Sequence, residues 1–357
     1  MKIAITADIH LKTNKEYPER YNVLKNILDR LLEEDISSLI IAGDLFDIKS
    51  QDYSLFDELC KQEKYSQIQF YVICGNHDLA ISPKYFTAGN IKIFNEPEIM
   101  TFGDTGVNFF FIPYLLGKSM GEVIAGYKAS HENAFSKIWV LIGHGDYLSG
   151  MRELNTYESG IYMPLGRSDI EYYEPAKVIL GHIHKKMDIG KVHYAGSPCG
   201  MDINETGKKS FLILDSNNLD ITAKTIDTDY IFFNETLIVL PTSNEFEDMK
   251  NKVTGLIKTW ELSKNEIPKA RIRLKVRGYT SDRKKLDSVL KEALCMFTFY
   301  NNEEPDTTEV LLFNDPERIS IVERVKEKIG ALEENLGYSQ ARKDNILEQA
   351  LHIMLKE

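Results

Sequence analysis

At 357 residues, with 43% hydrophobic and 27% charged side chains, the chain has the make-up of a globular protein long enough for two domains and an appendage. It contains no run of eighteen apolar residues, so no membrane span is expected. The net charge of -11 argues against binding nucleic acid by overall charge, because such binding rests on Lys and Arg neutralising phosphates. A carboxylate-rich metal site would limit that objection, since bound cations invert the local sign.

The first ten residues enter strand-like sequence directly, without the apolar segment and cleavage site of a secretory signal. Cys60, Cys74, Cys199 and Cys295 are far apart and form no CxxC pair, which points to reduced thiols in a cytoplasmic protein. A strand at residues 3–6 is followed by a stretch that places Tyr21, Leu24, Ile27, Leu28, Leu31 and Leu32 on one helical stripe. Short, continuously apolar runs then recur at 39–43, 70–74, 108–114, 139–143 and 177–181. Runs of this kind suit strands buried on both faces of an α/β sandwich. Strands near 193–197 and 210–215 complete this unit, which is expected to span residues 1–232.

A second unit, 233–314, is expected to begin with a strand at 236–240. Thr242-Ser243-Asn244-Glu245 reads as a capping box opening a helix with Phe246, Met249, Val253, Leu256, Ile257 and Trp260 on one face. A strand over 270–278, a helix over 281–294 and a last strand pair at 296–300 and 309–313 complete a small α+β domain. In the tail, 315–357, Asp315-Pro316 reads as an N-cap with a first-turn proline. Val322, Val325, Ile329, Leu332 and Leu336 form a stripe, Gly337 ends the helix and Ser339 caps a second one. That second helix carries Ile346, Leu347, Ala350, Leu351, Met354 and Leu355.

Five motifs occur in order, each just after an apolar run: Asp8-x-His10, Gly43-Asp44-x-x-Asp47, Gly75-Asn76-His77-Asp78, Gly143-His144 and Gly181-His182-x-His184. Strand ends in an open α/β sheet bring such side chains together. Five of the eight histidines fall in these motifs. Carboxylate, imidazole and amide oxygen without thiolate is a donor set for Mn, Fe or Zn. One such histidine alone reads as a surface or satisfied core residue; five at successive strand ends read as a site. His131, His193 and His352 lie outside the motifs and are read as structural.

These motifs resemble those of the calcineurin-like metallophosphoesterases. The resemblance implies a four-layer αββα sandwich holding two divalent metal ions, Mn before Fe, Zn or Mg. It implies that Asp8, His10 and His184 bind one ion, Asn76, His144 and His182 the other, and that Asp44 bridges them. His77 would take the catalytic place beside the leaving-group oxygen. Asp78 would either orient His77 or cap a backbone amide. Within that superfamily, Gly43–Asp47, the Gly75–Asp78 motif, the segment at 144–150, the one at 180–186 and the one at 194–215 are similar to SbcD-type nuclease subunits of double-strand-break repair. Many archaeal and eukaryotic members carry histidine where this chain has Asp47, so Asp47 is placed behind the ligands.

The resemblance implies DNA cleavage, as exonuclease and endonuclease, alongside an SbcC-like SMC/ABC-type ATPase bound through the C-terminal hairpin, and a homodimer formed through the core. The hairpin could otherwise simply pack on the core. Arg271, Arg273, Lys275 and Arg277 alternate with apolar residues and share one face of a strand. They form either a phosphate track or a solvated outer face. Lys185 and Lys186, directly after the last motif, are also placed for phosphate contact. The alternatives are a stand-alone phosphodiesterase or phosphatase acting on nucleotides or phosphoproteins, and a scaffold that keeps the fold without the chemistry.

Overall fold

The computed structural model describes residues 1–12, 16–47, 53–149, 160–313, 315–332 and 340–355. They divide into two compact units, residues 1–200 with 208–229, and residues 201–207 with 230–357.

The first unit is built on two six-stranded sheets. One runs in the order Asp220–Thr225, Ser210–Asp215, Lys2–Thr6, Ser38–Ala42, Gln69–Ile73, Ile91–Phe94. The other runs Met187–Ile189, Val192–Tyr194, Lys177–Gly181, Trp139–His144, Asn108–Phe111, Glu98–Thr101. The central pairs are parallel in both sheets. Alternate residues of each strand face opposite ways, and both faces are covered, which is why the strand sequences read as unbroken apolar runs. Ile3, Ile5, Ile40, Phe109, Phe111, Ile142 and Ile179 fill the space between the sheets, and there the Phe94 and Phe111 rings stack at 4.1 Å. Outside the first sheet lie helices Pro18–Glu33 and Ser54–Lys61; outside the second lie Met120–Ser130 and Arg167–Tyr173. The result is a four-layer αββα sandwich.

Helix Met120–Ser130 is opened by a formed capping box, Ser119 with Glu122. At Glu245 the box read from the sequence does not form. Helix Glu245–Thr259 starts at that residue and its N-cap Asn244 makes no side-chain capping bond. Glu245 instead turns inward, 3% exposed, and accepts from the Thr280 hydroxyl, the Ser281 amide at 3.0 Å and the Ser281 hydroxyl at 2.7 Å. Three donors at a strand end out-compete one local amide.

In the second unit, Ile231–Val239 pairs in parallel with Ala270–Thr280. Thr298–Phe299 and Asp306–Leu312 both pair in parallel with that same strand, rather than with each other as the sequence suggested. Helices Glu245–Thr259 and Arg283–Ala293 cover the apolar face through Met249, Val253, Leu286 and Leu290. Helices Pro316–Gly330 and Gln340–Leu355 join the same unit, with Val322 and Leu347 buried beside Ile238, Leu240 and Tyr279. Leu336, Gly337 and Ser339 lie outside the described residues, as does the side chain of His352. No helix among the described residues is long and apolar enough to cross a membrane.

Candidate metal centre

The five motifs meet at the carboxyl ends of the strands. The backbone is bent hard there: Asp8, His10, Asp44 and His182 have φ of +53°, +50°, +51° and +93°. Such conformations cost non-glycine residues of order 1–3 kcal/mol each and persist where neighbours over-determine them. Here the Asp8 amide donates to the Gly43 carbonyl at 3.1 Å, and the His10 amide to the Asp44 carbonyl at 2.9 Å. The His182 amide donates to both Asp8 oxygens, at 3.0 and 3.1 Å.

Glycine is required where side chains press on the backbone. A Cβ on Gly43, whose φ is +89°, would lie 2.1 Å from His144 Nδ1, and one on Gly75 would lie 2.0 Å from Asp44 Oδ1. Gly75→Ala is therefore expected to destabilise the fold by about 1–3 kcal/mol. By displacing Asp44 it should also weaken metal binding by ~10–100-fold, the size of effect seen when support around a ligand is lost. Denaturant melts and metal titration check both effects.

Asp8, Asp44, His144 and His182 are almost fully buried. His10 Nε2 stands 3.2 Å from His184 Nε2 and 3.7 Å from Asp44 Oδ2. His144 donates Nδ1–H to the Ala42 carbonyl at 2.9 Å, which aims Nε2 at Asn76 Oδ1, 2.9 Å away, and Asp44 Oδ2, 3.3 Å away. One ligand atom each from Asp8, His10 and His184 lies within 4.8 Å of the others; so it does for Asp8, Asp44 and His144, and for His10, Asp44 and His77.

Burial pushes the Asp8 carboxyl up to about 6, against the pull of His144 and His184. At Asp44 burial acts the same way, but His144, His10 and His77 outweigh it and hold the carboxyl well below the usual range. Burial holds His10 well below the ordinary imidazole value. His144 goes the other way, to about 10, because Asp44 and then Asp8 overcome its burial. Two buried carboxylates among imidazoles, with no thiolate, are a donor set that a divalent cation fits.

Asp78 is buried and its oxygens accept the Gly75 amide at 2.6 Å and the Phe46 amide at 3.2 Å, which clamps two of the motif loops together. Burial and then Asp44 push its carboxyl up to about 7. The His77 amide donates to Asp44 Oδ1 at 2.9 Å, and its ring meets that of His10 edge-on at 4.6 Å. Asp47 pairs with Lys12 at 3.3 Å and Arg20 at 3.6 Å. Arg20, 6% exposed, also donates to the His10 carbonyl. Arg20 and Asp146 were not singled out from the sequence. Asp146 Oδ1 lies 3.9 Å from His182 Nε2, while its Oδ2 accepts the Tyr162 amide at 2.7 Å. The sequence signal for Asp146 is its place two residues after His144, inside the segment at 144–150 that carries the family resemblance; Arg20 had none.

Lys185 and Lys186 are exposed, and Lys186 pairs with Asp188. Asp188 also accepts from His193 Nδ1 at 2.7 Å. His131 stacks on Tyr127 at 4.2 Å. On strand Ala270–Thr280 the cations alternate with buried residues, and acids pair with three of them. Arg273 Nε meets Glu303 at 2.8 Å, while Lys275 and Arg277 share Glu309. Arg271 lies over the Tyr230 ring at 4.8 Å.

The buried histidine–aspartate cluster at the strand ends of this four-layer sandwich is a site suited to divalent cations. The chain belongs to the calcineurin-like phosphoesterase family, whose model matches residues 1–186; that family implies two divalent metals. It is similar to the DNA double-strand break repair protein Mre11 of Saccharolobus solfataricus, 26% identical over 352 residues, covering 88% of this chain and 86% of that protein. It is also 28% identical over 216 residues to the uncharacterized metallophosphoesterase YhaO of Bacillus subtilis, covering 56% of this chain; the match spans half the length of that relative. A dimetal phosphatase from Danio rerio aligns with a TM-score of 0.41 at 8% identity, covering 63% of this chain and 96% of that one.

Proposed function

We propose that this protein is a two-metal DNA nuclease subunit that works in double-strand-break repair with an SMC/ABC-type ATPase. The observation that carries this reading is the extent of the match to the Mre11 protein. It covers 88% of the chain and so takes in residues well beyond the hydrolase core. In this reading Asp8, His10 and His184 hold one ion, Asn76, His144 and His182 the other, and Asp44 lies between them, with Mn favoured over Fe, Zn or Mg. Bound there, the ion pair supplies a hydroxide nucleophile and stabilises charge on the phosphoryl oxygens. His77 donates a proton to the leaving oxygen. Asp78 keeps the His77 loop against the Asp44 loop, and Arg20, held by Asp47, steadies the His10 backbone.

The C-terminal helices offer the ATPase surface: Ile321 and Ile353 are 43% and 79% exposed while Val322 and Leu347 anchor the pair. The homodimer rests on resemblance alone. The paired cations of strand Ala270–Thr280 favour a second reading, a stand-alone phosphodiesterase or phosphatase. A phosphate there would have to displace Glu303 and Glu309. Lys185 and Lys186 are next to the cluster in sequence, and a phosphate at Lys186 would likewise have to compete with Asp188.

Protein supplied with Mn²⁺ is expected to cut linear duplex or single-stranded DNA, and to act poorly on cyclic nucleotides. Hydrolysis of a chromogenic diester without DNA cleavage, both alone and with the coexpressed ATPase, would overturn the nuclease reading in favour of the second.

A further inference from the structure

Asp146 is a buried acid beside the metal cluster to which the two-metal reading gives no task. It is 2% exposed, and a carboxylate at that depth is costly unless its oxygens are engaged. Its Oδ2 accepts the Tyr162 amide at 2.7 Å, and its Oδ1 stands 3.9 Å from His182 Nε2. The main chain by itself holds residue 146 in that place. The Asp146 amide donates to the Tyr162 carbonyl at 2.8 Å, and the Leu165 amide donates to the Asp146 carbonyl at 2.8 Å. Gly145 permits the close approach: a Cβ there would lie 2.5 Å from the Tyr162 carbonyl oxygen and 2.7 Å from that of Met163.

Tyr162, fixed in this way, brings its ring to 4.8 Å from the ring of His182, tilted by 42°. The His144 ring meets that of His182 edge-on at 5.5 Å. His182 is therefore packed between two rings while one of its nitrogens faces a carboxylate. Which imidazole nitrogen carries the proton decides which one can bind a cation. With Nε2 turned toward Asp146, Nδ1 is the nitrogen left to supply a lone pair. A separation of 3.9 Å is roughly 1 Å longer than a hydrogen bond, and such bonds around an active site commonly tighten when it is loaded.

We infer that Asp146 is a positioning residue for His182. Its Oδ1 accepts from Nε2–H, its Oδ2 seats Tyr162 against the imidazole, and His182 is left presenting Nδ1 to a divalent cation. The inference deepens the assignment of His182 as a ligand and rests on it.

The Tyr162 amide makes Asp146→Asn the discriminating variant. That amide claims the one oxygen of asparagine, so the NH2 group faces His182 Nε2 where an acceptor stood. Titration with Mn²⁺ followed by calorimetry should show one of two binding steps weakened by ~10–100-fold and the other little changed. Urea melts should show the fold intact, because the backbone bonds to Tyr162 and Leu165 remain. In Zn²⁺-loaded protein with ¹⁵N-labelled histidines, unaltered His182 should carry its proton on Nε2 and the ion on Nδ1. The reverse assignment overturns the inference without any variant. A merely structural Asp146 would let Asp146→Asn bind both ions normally and only Asp146→Ala bind them weakly, and that outcome overturns it too. Loss of one ion in His182→Ala, with normal binding in Asp146→Asn, removes this inference alone. Normal binding of both ions in His182→Ala removes the ligand assignment and this inference with it.

Discussion

His77→Ala is expected to keep its metal content and its fold while hydrolysing phosphodiesters ~10²–10⁴-fold more slowly, the range that a positioned general acid supplies. The link from residue 77 to Asp44 is made by the backbone amide, at 2.9 Å, and truncating the ring leaves it in place. The ring contributes an edge contact to His10 at 4.6 Å and a nitrogen within 4.8 Å of ligand atoms on His10 and Asp44. That second fact makes the experiment decisive, because the same distance would suit a ligand. Metal analysis separates the two roles: a variant that binds both ions but turns over slowly has lost a proton donor. A variant that has lost an ion has lost a ligand, and the assignment of His77 falls. In the first case the limb of the pH–rate profile that reports the acid should disappear with the ring, whereas a merely structural role would leave that limb in place.

The motif residues were legible because the site is made of strand ends, and a strand end announces itself locally as an apolar run followed by glycine and a polar ligand. What failed to announce itself depends on partners far along the chain. Arg20 sits on a helix at a position that reads as an ordinary exposed charge, yet it is buried because the His10 carbonyl and Asp47 lie across from it. The strip Arg271, Arg273, Lys275 and Arg277 was correctly read as one face of a strand by its period of two. Its electrostatic character was not legible, since Glu303 and Glu309 reach it from neighbouring segments roughly thirty residues later. Glu245 failed for the same reason, its real partners being Thr280 and Ser281. Local chemistry predicted local structure well, and missed wherever a tertiary partner offered more hydrogen bonds or a closer charge.

Asp44→Asn should have the other large effect, and its sign with pH can be worked out. In metal-free protein His144 is held protonated up to about 10, since Asp44 and then Asp8 overcome its burial. A histidine whose folded value lies above its unfolded value contributes stability that is fully present below ~6.5 and lost as pH rises through the folded value. Asp44, held low in the fold, contributes stability present above ~3.9 and lost as pH falls further. Chelator-treated wild-type protein should therefore lose stability progressively from near pH 6.5 to about 10 on account of this pair. Asp44→Asn keeps the side chain's size and removes the charge, so burial then dominates at His144 and that alkaline loss should largely vanish. Metal affinity should fall by more than the ~10–100-fold caused by losing a partner outside the ligand set, and proton release on metal binding should shrink, because His144 no longer has a proton to give up. Urea melts of metal-free protein across pH 6 to 10.5 (the range is about that of the titration) and metal titration in weak buffer measure both. An Asp44→Asn protein that binds two ions at wild-type affinity, or keeps the wild-type alkaline loss, would show that Asp44 is neither the shared ligand nor the charge that sets His144.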